Sequence, residues 1–275
     1  MDNYAQLQNR LYDSLSRSAR ARRGALWLRN VTTQMLGHWL APSIDPDRNG
    51  ESLLQRELAF KLRVVVDVGA NRGEWTAGLL DYAPAIERVI CYEPALSALG
   101  LLHDRFTSDD RVDIVEAAVA DTTGEREFFE EPGGGETSSL VDSCANAFAL
   151  ARAVRLVTID EELERLALAQ VDFLKIDAEG MDLHVLRGAE GALRSHRIAT
   201  VQFEYGGAWA KAGSTLTAAF DLLRNCGYEV NVLLPDGLYD YDPSQTGELF
   251  VYSNFVAYLP EGAANALRRS SASAL

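Results

Sequence analysis

Apolar residues along this chain come in short unbroken runs, and each run is followed by a stretch with helical spacing. The first run, Val64-Val65-Val66-Asp67-Val68, closes on the turn Gly69-Ala70-Asn71-Arg72-Gly73 before a helical pattern begins at Glu74-Trp75. An unbroken valine run of this length reads as a strand buried on both faces. The same pattern predicts strands over 63–68, 88–92, 112–116, 171–176, 198–203, 228–234 and 250–258. Helices are predicted over 73–81, 95–106, 181–195 and 216–226. Strands that alternate with helices imply an α/β fold, Rossmann-like, with a seven-stranded, mostly parallel sheet and helices on both faces. Right-handed crossovers leave few topologies open.

The alternation is interrupted between residues 117 and 160. A short edge strand over 125–129, a flexible loop at Pro132-Gly133-Gly134-Gly135 and a strand over 154–159 are expected there. Asp160 is placed to cap a helix over 161–167. An insertion of this kind is where movement or ligand cover is expected. Ahead of the sheet, residues 1–60 read as mostly helical, broken by the proline- and glycine-containing loop 41–50. The pattern divides the chain into an N-terminal helical extension (1–60), a main domain (61–260, with 117–160 as insertion or cover) and a C-terminal tail (261–275).

Charge alters the picture in one region. The chain of 275 residues carries a formal charge of −14, which argues against broad electrostatic binding of nucleic acid. Its first thirty residues are the exception, with six arginines against two aspartates and a local charge of +4. Leu7, Leu11, Leu15, Leu26, Trp27 and Leu28 are interspersed among them. A basic amphipathic helix fits a peripheral membrane contact or self-association through residues 1–60. The simpler expectation is a helix packed on the main domain or on a second subunit, since surface helices usually have this pattern. Cys91, Cys144 and Cys226 are odd in number and form no C-x-x-C pair, which suits buried thiols in a reducing cytosol. The N-terminus is too polar for a signal peptide and no apolar run approaches a membrane span, so a cytoplasmic protein is expected.

Candidate chemistry gathers at the predicted strand tips, where ligands bind in open α/β sheets. The turn Gly69-Ala70-Asn71-Arg72-Gly73 departs from the dinucleotide pattern G-x-G-x-x-G. Its flanking acids, Asp67 and Glu74, suit a positively charged ligand better than a pyrophosphate, and Asp67 is placed to accept from an ammonium group. Glu93, in Cys91-Tyr92-Glu93-Pro94, stands where a carboxylate can take both hydroxyls of a ribose, and Pro94 ends the strand. The small residues of Glu116-Ala117-Ala118-Val119-Ala120-Asp121 admit a flat ring. Asp121 suits an adenine amino group or a plain turn equally. Further along, Lys175-Ile176-Asp177-Ala178-Glu179-Gly180 ends a buried strand in acids, and charges there must be paired or functional. His184 is a candidate to face the same crevice or to be structural, and Glu204 sits at the tip of the next strand before Gly206-Gly207. No zinc-type His/Cys spacing occurs, so no metal is expected.

Several of these segments, in this order, resemble the FkbM family of S-adenosylmethionine-dependent methyltransferases. The resemblance is carried by Asp67-Val68-Gly69-Ala70-Asn71-Arg72-Gly73, Tyr92-Glu93-Pro94, Ser138-Ser139-Leu140, Val157-Thr158-Ile159-Asp160, Lys175-Ile176-Asp177-Ala178-Glu179-Gly180 and Leu186-Arg187-Gly188-Ala189. It covers roughly residues 60–207. The resemblance implies a class I methyltransferase fold and O-methylation of a sugar hydroxyl or a secondary metabolite. By motif position it implies that Asp67, Gly69, Asn71 and Gly73 line the methionine part of the donor and Glu93 the ribose. Pro94, Ala120, Asp121 and Asp177 complete the expected donor site. A positioned base completes the chemistry, with Asp177 first, then Glu204, then His184. Two other readings stand beside this one: a nicotinamide-dependent oxidoreductase, and a non-catalytic partner that keeps the fold.

Overall fold

The computed structural model describes residues 12–40, 43–130, 139–140 and 150–269. The glycine loop at 132–135, Ser138, Cys144 and the first eleven residues lie outside the described residues.

Eleven strands are described: β1 (Val64–Val68), β2 (Arg88–Tyr92), β3 (Val112–Val115), β4 (Ala118–Val119), β5 (Gly124–Glu130), β6 (Leu150–Val157), β7 (Val171–Ile176), β8 (Ile198–Tyr205), β9 (Glu229–Leu234), β10 (Gly237–Asp240) and β11 (Ser253–Tyr258). The main sheet runs β10-β9-β11-β8-β7-β1-β2-β3. Its β3, β2, β1, β7 and β8 are parallel neighbours, and β11 enters antiparallel between β8 and β9. This is the expected Rossmann-like sheet with one strand more than the seven expected. The added strand is β10, which folds back on β9 in a hairpin that pairs Gly237 with Leu234.

Each face of the sheet is covered, as the unbroken apolar runs require. Side chains of one face, among them Val65, Val89, Cys91 and Phe173, pack with Leu54, Leu58, Leu79 and Leu102. Those come from the helices Glu51–Leu58, Glu74–Tyr82 and Leu96–Phe106. Val66, Ile90, Leu174 and Phe203 of the opposite face pack with Leu163, Leu186 and Phe220. These belong to Ile159–Arg165, Asp182–Gly188 and Leu216–Asn225. Each fully buried Val, Leu or Phe contributes about 1.5–3 kcal/mol.

The interrupted region forms its own three-stranded sheet, β4-β6-β5. It is longer and more regular than its polar composition suggests, because β5 and β6 pair antiparallel from Gly124↔Leu156 to Glu130↔Leu150. Phe128, Val154 and Leu156 on its inner face pack with Ala95, Ala98 and Met181. The cap following β6 differs from the expected one. Thr158 accepts from the Glu161 N–H as the cap, and Asp160 already lies inside the helix Ile159–Arg165. The Asp160 carboxylate instead accepts from the N–H groups of Gly191 (2.8 Å) and Ala192 (2.7 Å), at the start of Glu190–Arg194. The helix expected over 181–195 is therefore two helices, Asp182–Gly188 and Glu190–Arg194.

Gly188 explains the glycine of Leu186-Arg187-Gly188-Ala189. A Cβ built there would lie 2.0 Å from the Ala120 carbonyl oxygen, so the helix crosses against the main chain that follows β4. Both contacting groups are backbone and neither can swing away. Gly188→Ala is expected to cost about 3 kcal/mol in urea unfolding, at the upper end of overpacking effects. At Gly100, on the exposed face of Leu96–Phe106, a Cβ meets nothing within 4 Å. Gly100→Ala is expected to gain about 0.5–1 kcal/mol in the same assay, and equal effects at both positions would refute the packing account.

Candidate active site

β1 and β7 are in register, pairing Asp67 with Lys175. Side chains of registered parallel neighbours share a face, so the strand geometry sets an acid beside an amine inside the sheet. Lys175 Nζ lies 3.4 Å from Asp67 Oδ1 and 3.3 Å from Asp177 Oδ2. It also donates to the Gly69 carbonyl at 3.3 Å and stands 6.0 Å over the Trp75 ring. Burial by itself lowers the Lys175 pKa. Asp67 and Asp177, with Glu51, outweigh that and hold the ammonium well above its usual range. Thr76 Oγ1 donates to Asp67 Oδ2 at 2.6 Å.

Asp67 is thus 0% exposed and engaged by Lys175 and Thr76 beneath the strand tips. It does not line the cleft above, as its expected contact with a ligand ammonium would need. An acid inside a fully covered sheet is taken up by the partner that its register supplies. Its sequence position alone did not reveal that partner.

Above the triad a cleft of about 660 Å³ opens at the tips of β1, β2 and β7. Gly69, with φ of +75°, lets the turn cross the tip of β7, where a Cβ would lie 1.8 Å from the Asp177 carbonyl oxygen. Asn71 follows in the left-handed region, at φ 49°, and lines the cleft. Gly73 does not line it, and packs instead against Phe106 and Leu102. Glu93 lines the cleft at the tip of β2, its two oxygens accepting the N–H groups of Asn71 and Ala95, each at 2.7 Å. Burial pushes its carboxyl up to about 7. Pro94 lines the cleft too, and its carbonyl accepts from Arg152 of β6, which pairs with Glu130 at 3.0 Å. Arg152 thereby fastens the small sheet over the cleft.

The flat, small-residue wall comes from Ala117, Ala118 and Val119, just before the expected Ala120 and Asp121. Ala120 is buried with its N–H bonded to Val157 O, and Asp121 is exposed on the far side. Asp121 accepts or shares a hydrogen bond with His184 Nδ1 at 2.8 Å. Neither His184 nor Asp121 lines this cleft or the neighbouring cavity, so the pair stands apart from the other site residues. Helical spacing gave His184 a direction, but that face of Asp182–Gly188 packs toward the end of β4. Ser139 and Leu140, from a segment that carries the family resemblance, line the cleft too, and Phe128 and Met181 do so with no signal in the sequence beyond being apolar.

A second cavity of about 470 Å³ adjoins the first, and both are lined by Asp177 and Glu179. Asp182, Glu204, Trp209 and Tyr252 line the rest of its polar and aromatic wall. The Trp209 indole donates to the Glu204 carbonyl at 2.9 Å, which fixes the turn after β8. Burial, with Asp177, Asp182 and Glu179 close by, pushes the Glu204 carboxyl well above its ordinary value, against the pull of Lys175. Burial, with Asp177, likewise pushes Asp182 up to about 7. Burial and mutual repulsion thus disfavour full ionisation of Asp182 and Glu204. Among the described residues no group of three or more His, Cys, Asp or Glu is arranged to hold a metal ion.

The cleft suits an adenosine-bearing donor. Its apolar wall matches a flat ring, and Glu93 can accept from a diol while it holds the turn. The sequence matches the Methyltransferase FkbM domain family over residues 67–230. Among solved structures, the chain is similar to a methyltransferase FkbM from Methylobacillus flagellatus KT, at 18% identity and a TM-score of 0.45. That match covers 86% of this chain, and the chain spans about 60% of the length of that protein. A precorrin-6y C5,15-methyltransferase from Geobacter metallireducens GS-15 matches at 16% identity and a TM-score of 0.43, over 76% of this chain and 86% of its own. An rRNA methylase from Streptococcus thermophilus matches at 11% and 0.41, over 76% and 93%. No curated protein matches the chain.

Removing the central amine tests what holds the two cavities together. Lys175→Met leaves Asp67 and Asp177 without their buried partner, and is expected to cost about 3–5 kcal/mol in urea unfolding. Adding Asp67→Asn removes the stranded charge, and the double variant is expected to regain a measurable part of that loss. A single variant within about 1 kcal/mol of wild type would show that the ion pair does not hold the strand tips.

Proposed function

The chain belongs to the FkbM methyltransferase family, and on that premise we propose that it transfers a methyl group from S-adenosylmethionine to a hydroxyl of a saccharide or secondary metabolite. The observation that carries the proposal is the pair of adjoining cavities that share Asp177 and Glu179. The cleft takes the donor, and the second cavity takes the acceptor.

When bound, the donor supplies a methyl group on a sulfonium, an activated leaving group that needs no further assistance to depart. The protein then has two tasks, alignment and proton removal. Alignment of acceptor and donor supplies several kcal/mol of the barrier reduction. Glu93 takes the ribose hydroxyls, Ala117, Ala118 and Val119 the face of the ring, and Gly69 and Asn71 the methionine end. Asp177, fixed by Lys175, orients the acceptor hydroxyl at the junction. Glu204 has no ion-pair partner among the described residues and a pKa raised by burial. A raised pKa makes the Glu204 carboxylate a stronger base than an ordinary one, which favours Glu204 over Asp177 as the group that accepts the proton. A cavity rich in hydrogen-bond acceptors and flanked by Trp209 suits a neutral polyhydroxyl acceptor.

Two predictions follow from these roles. Because its carboxyl titrates at about 7, Glu93 is ionised and fully able to accept from the ribose above that pH, and protonated below it. S-adenosylhomocysteine binding, followed by calorimetry, is expected to weaken as pH falls through 7, by up to about tenfold per unit. Glu93→Gln is expected to bind more weakly at pH 8 and to lose the pH dependence. Absence of binding at any pH would sink the donor assignment.

Glu204→Gln is expected to lower kcat by about 10²–10⁴-fold while S-adenosylhomocysteine affinity stays near wild type, since Glu204 does not line the cleft. The wild-type rate should rise with pH as Glu204 loses its proton, and the variant should lack that rise. Unchanged kcat in Glu204→Gln, measured on an accepted hydroxyl substrate, would remove Glu204 from the mechanism.

A further inference from the structure

Among the described residues, the helix Ala19–Leu40 is covered mainly at its C-terminal end. Val31, Thr33, Leu36, Gly37 and Trp39 are half-buried and Leu40 is buried, whereas from residue 12 to residue 30 every residue except Ala21 is exposed. From Ala19 to Val31 the helix therefore projects about 18 Å from its point of contact. A helix that packed on the main domain, the simplest expectation for a basic amphipathic N-terminus, would be covered along one face throughout.

The projecting part has two unlike faces. Trp27, Leu28, Val31 and Met35 fall within a narrow arc of the helix, and Trp27, Leu28 and Met35 are 66%, 57% and 67% exposed. Arg22 and Arg29, with the exposed Leu26 beside them, fall on the opposite side, whereas Arg23, four residues before Trp27, borders the apolar arc and Arg20 lies on its side. Arg22 donates to the Ser16 carbonyl and Arg29 to Asn30 at 2.9 Å. None of the arm's arginines pairs with a carboxylate among the described residues.

We propose that this arm is a peripheral membrane element that lies on a bilayer bearing anionic headgroups. Its apolar face enters the interface and its arginines meet the headgroup charge. An anionic bilayer supplies an apolar layer and negative charge in one surface. A second copy of the chain supplies them only apart. Its arm carries the same +4, and its body is acidic, at −18 beyond residue 40 against −14 for the whole chain. The body's negative charge does not cancel the attraction, because the arm projects about two Debye lengths from it at physiological salt. The contact is peripheral, since among the described residues no helix is long and apolar enough to cross a membrane.

The test uses the full chain with vesicles of phosphatidylcholine alone and vesicles that also contain phosphatidylglycerol. Sedimentation with the phosphatidylglycerol vesicles at low salt is expected, with release at high salt. Arg22→Gln/Arg23→Gln/Arg29→Gln and, separately, Trp27→Ser/Leu28→Ser are each expected to lower the partition coefficient at least about tenfold. These side chains are exposed, so both variants should keep the wild-type thermal midpoint. Brominated acyl chains should quench tryptophan emission in the wild type and lose that effect in Trp27→Phe. No association with phosphatidylglycerol vesicles, or equal association of wild type and both variants, overturns the proposal. If the vesicles capture nothing and the same variants turn a dimer into a monomer in light scattering, the face belongs to a second copy.

Discussion

One buried amine organises this protein. Lys175 stands in the interior between Asp67 and Asp177, and donates to the carbonyl of Gly69. A lone ammonium in such a position would be strongly disfavoured, and so would the acid beside it. Together they are tolerated because the parallel register of β1 and β7 sets them side by side. The result ties the end of one strand to the turn leaving it and to the tip of its neighbour. A buried ion pair of this kind gives little net stability over an apolar pair, but it fixes geometry, and here it fixes the junction of two cavities.

The rest of the site follows from the topology around that point. β1 lies at the centre of the parallel part of the sheet, with β2 on one side and β7 on the other. Chain leaving the two sides opens a crevice at the strand tips, and Glu93 and Asp177 stand on its two walls. Glu93 bonds at once to the turn after β1 and to the start of the next helix, so that end of the cleft is held rigid. The small sheet β4-β6-β5 roofs the cleft, fastened by Arg152 to Pro94 and Glu130. The acids of the second cavity, crowded and buried, adjoin the cleft through Asp177 and Glu179.

Residues differ in how well the sequence revealed their roles, and the difference has a physical pattern. Glu93 and Asp177 were legible because each ends an apolar run, and a strand's last residue reaches the crevice wherever the strand lies in the sheet. Gly69 was legible because a turn directly after a buried strand needs close backbone approach. Asp67 lies just before that same turn, but whether its side chain reached the cleft depended on register with β7. His184 and Asp121 found each other across 63 positions of sequence and away from the crevice. Within the small-residue run 116–121, the cleft wall is made by Ala117, Ala118 and Val119 and not by Ala120, whose N–H bonds to Val157 where β4 pairs with β6.

The sequence by itself determined the alternation of strands and helices, the acid-tipped strands and the family, since all of these are written in local runs a few residues long. It also set the charge asymmetry between a basic N-terminus and an acidic body. Only the tertiary structure decided which acids line the cleft and which are buried against a lysine. It alone decided that the N-terminal helix packs on the body at its C-terminal end and leaves residues 22–30 exposed, and that the interrupted region folds as a roof. These outcomes turn on register and packing between segments far apart in the chain. Such contacts depend on all the elements at once, and no local pattern encodes them.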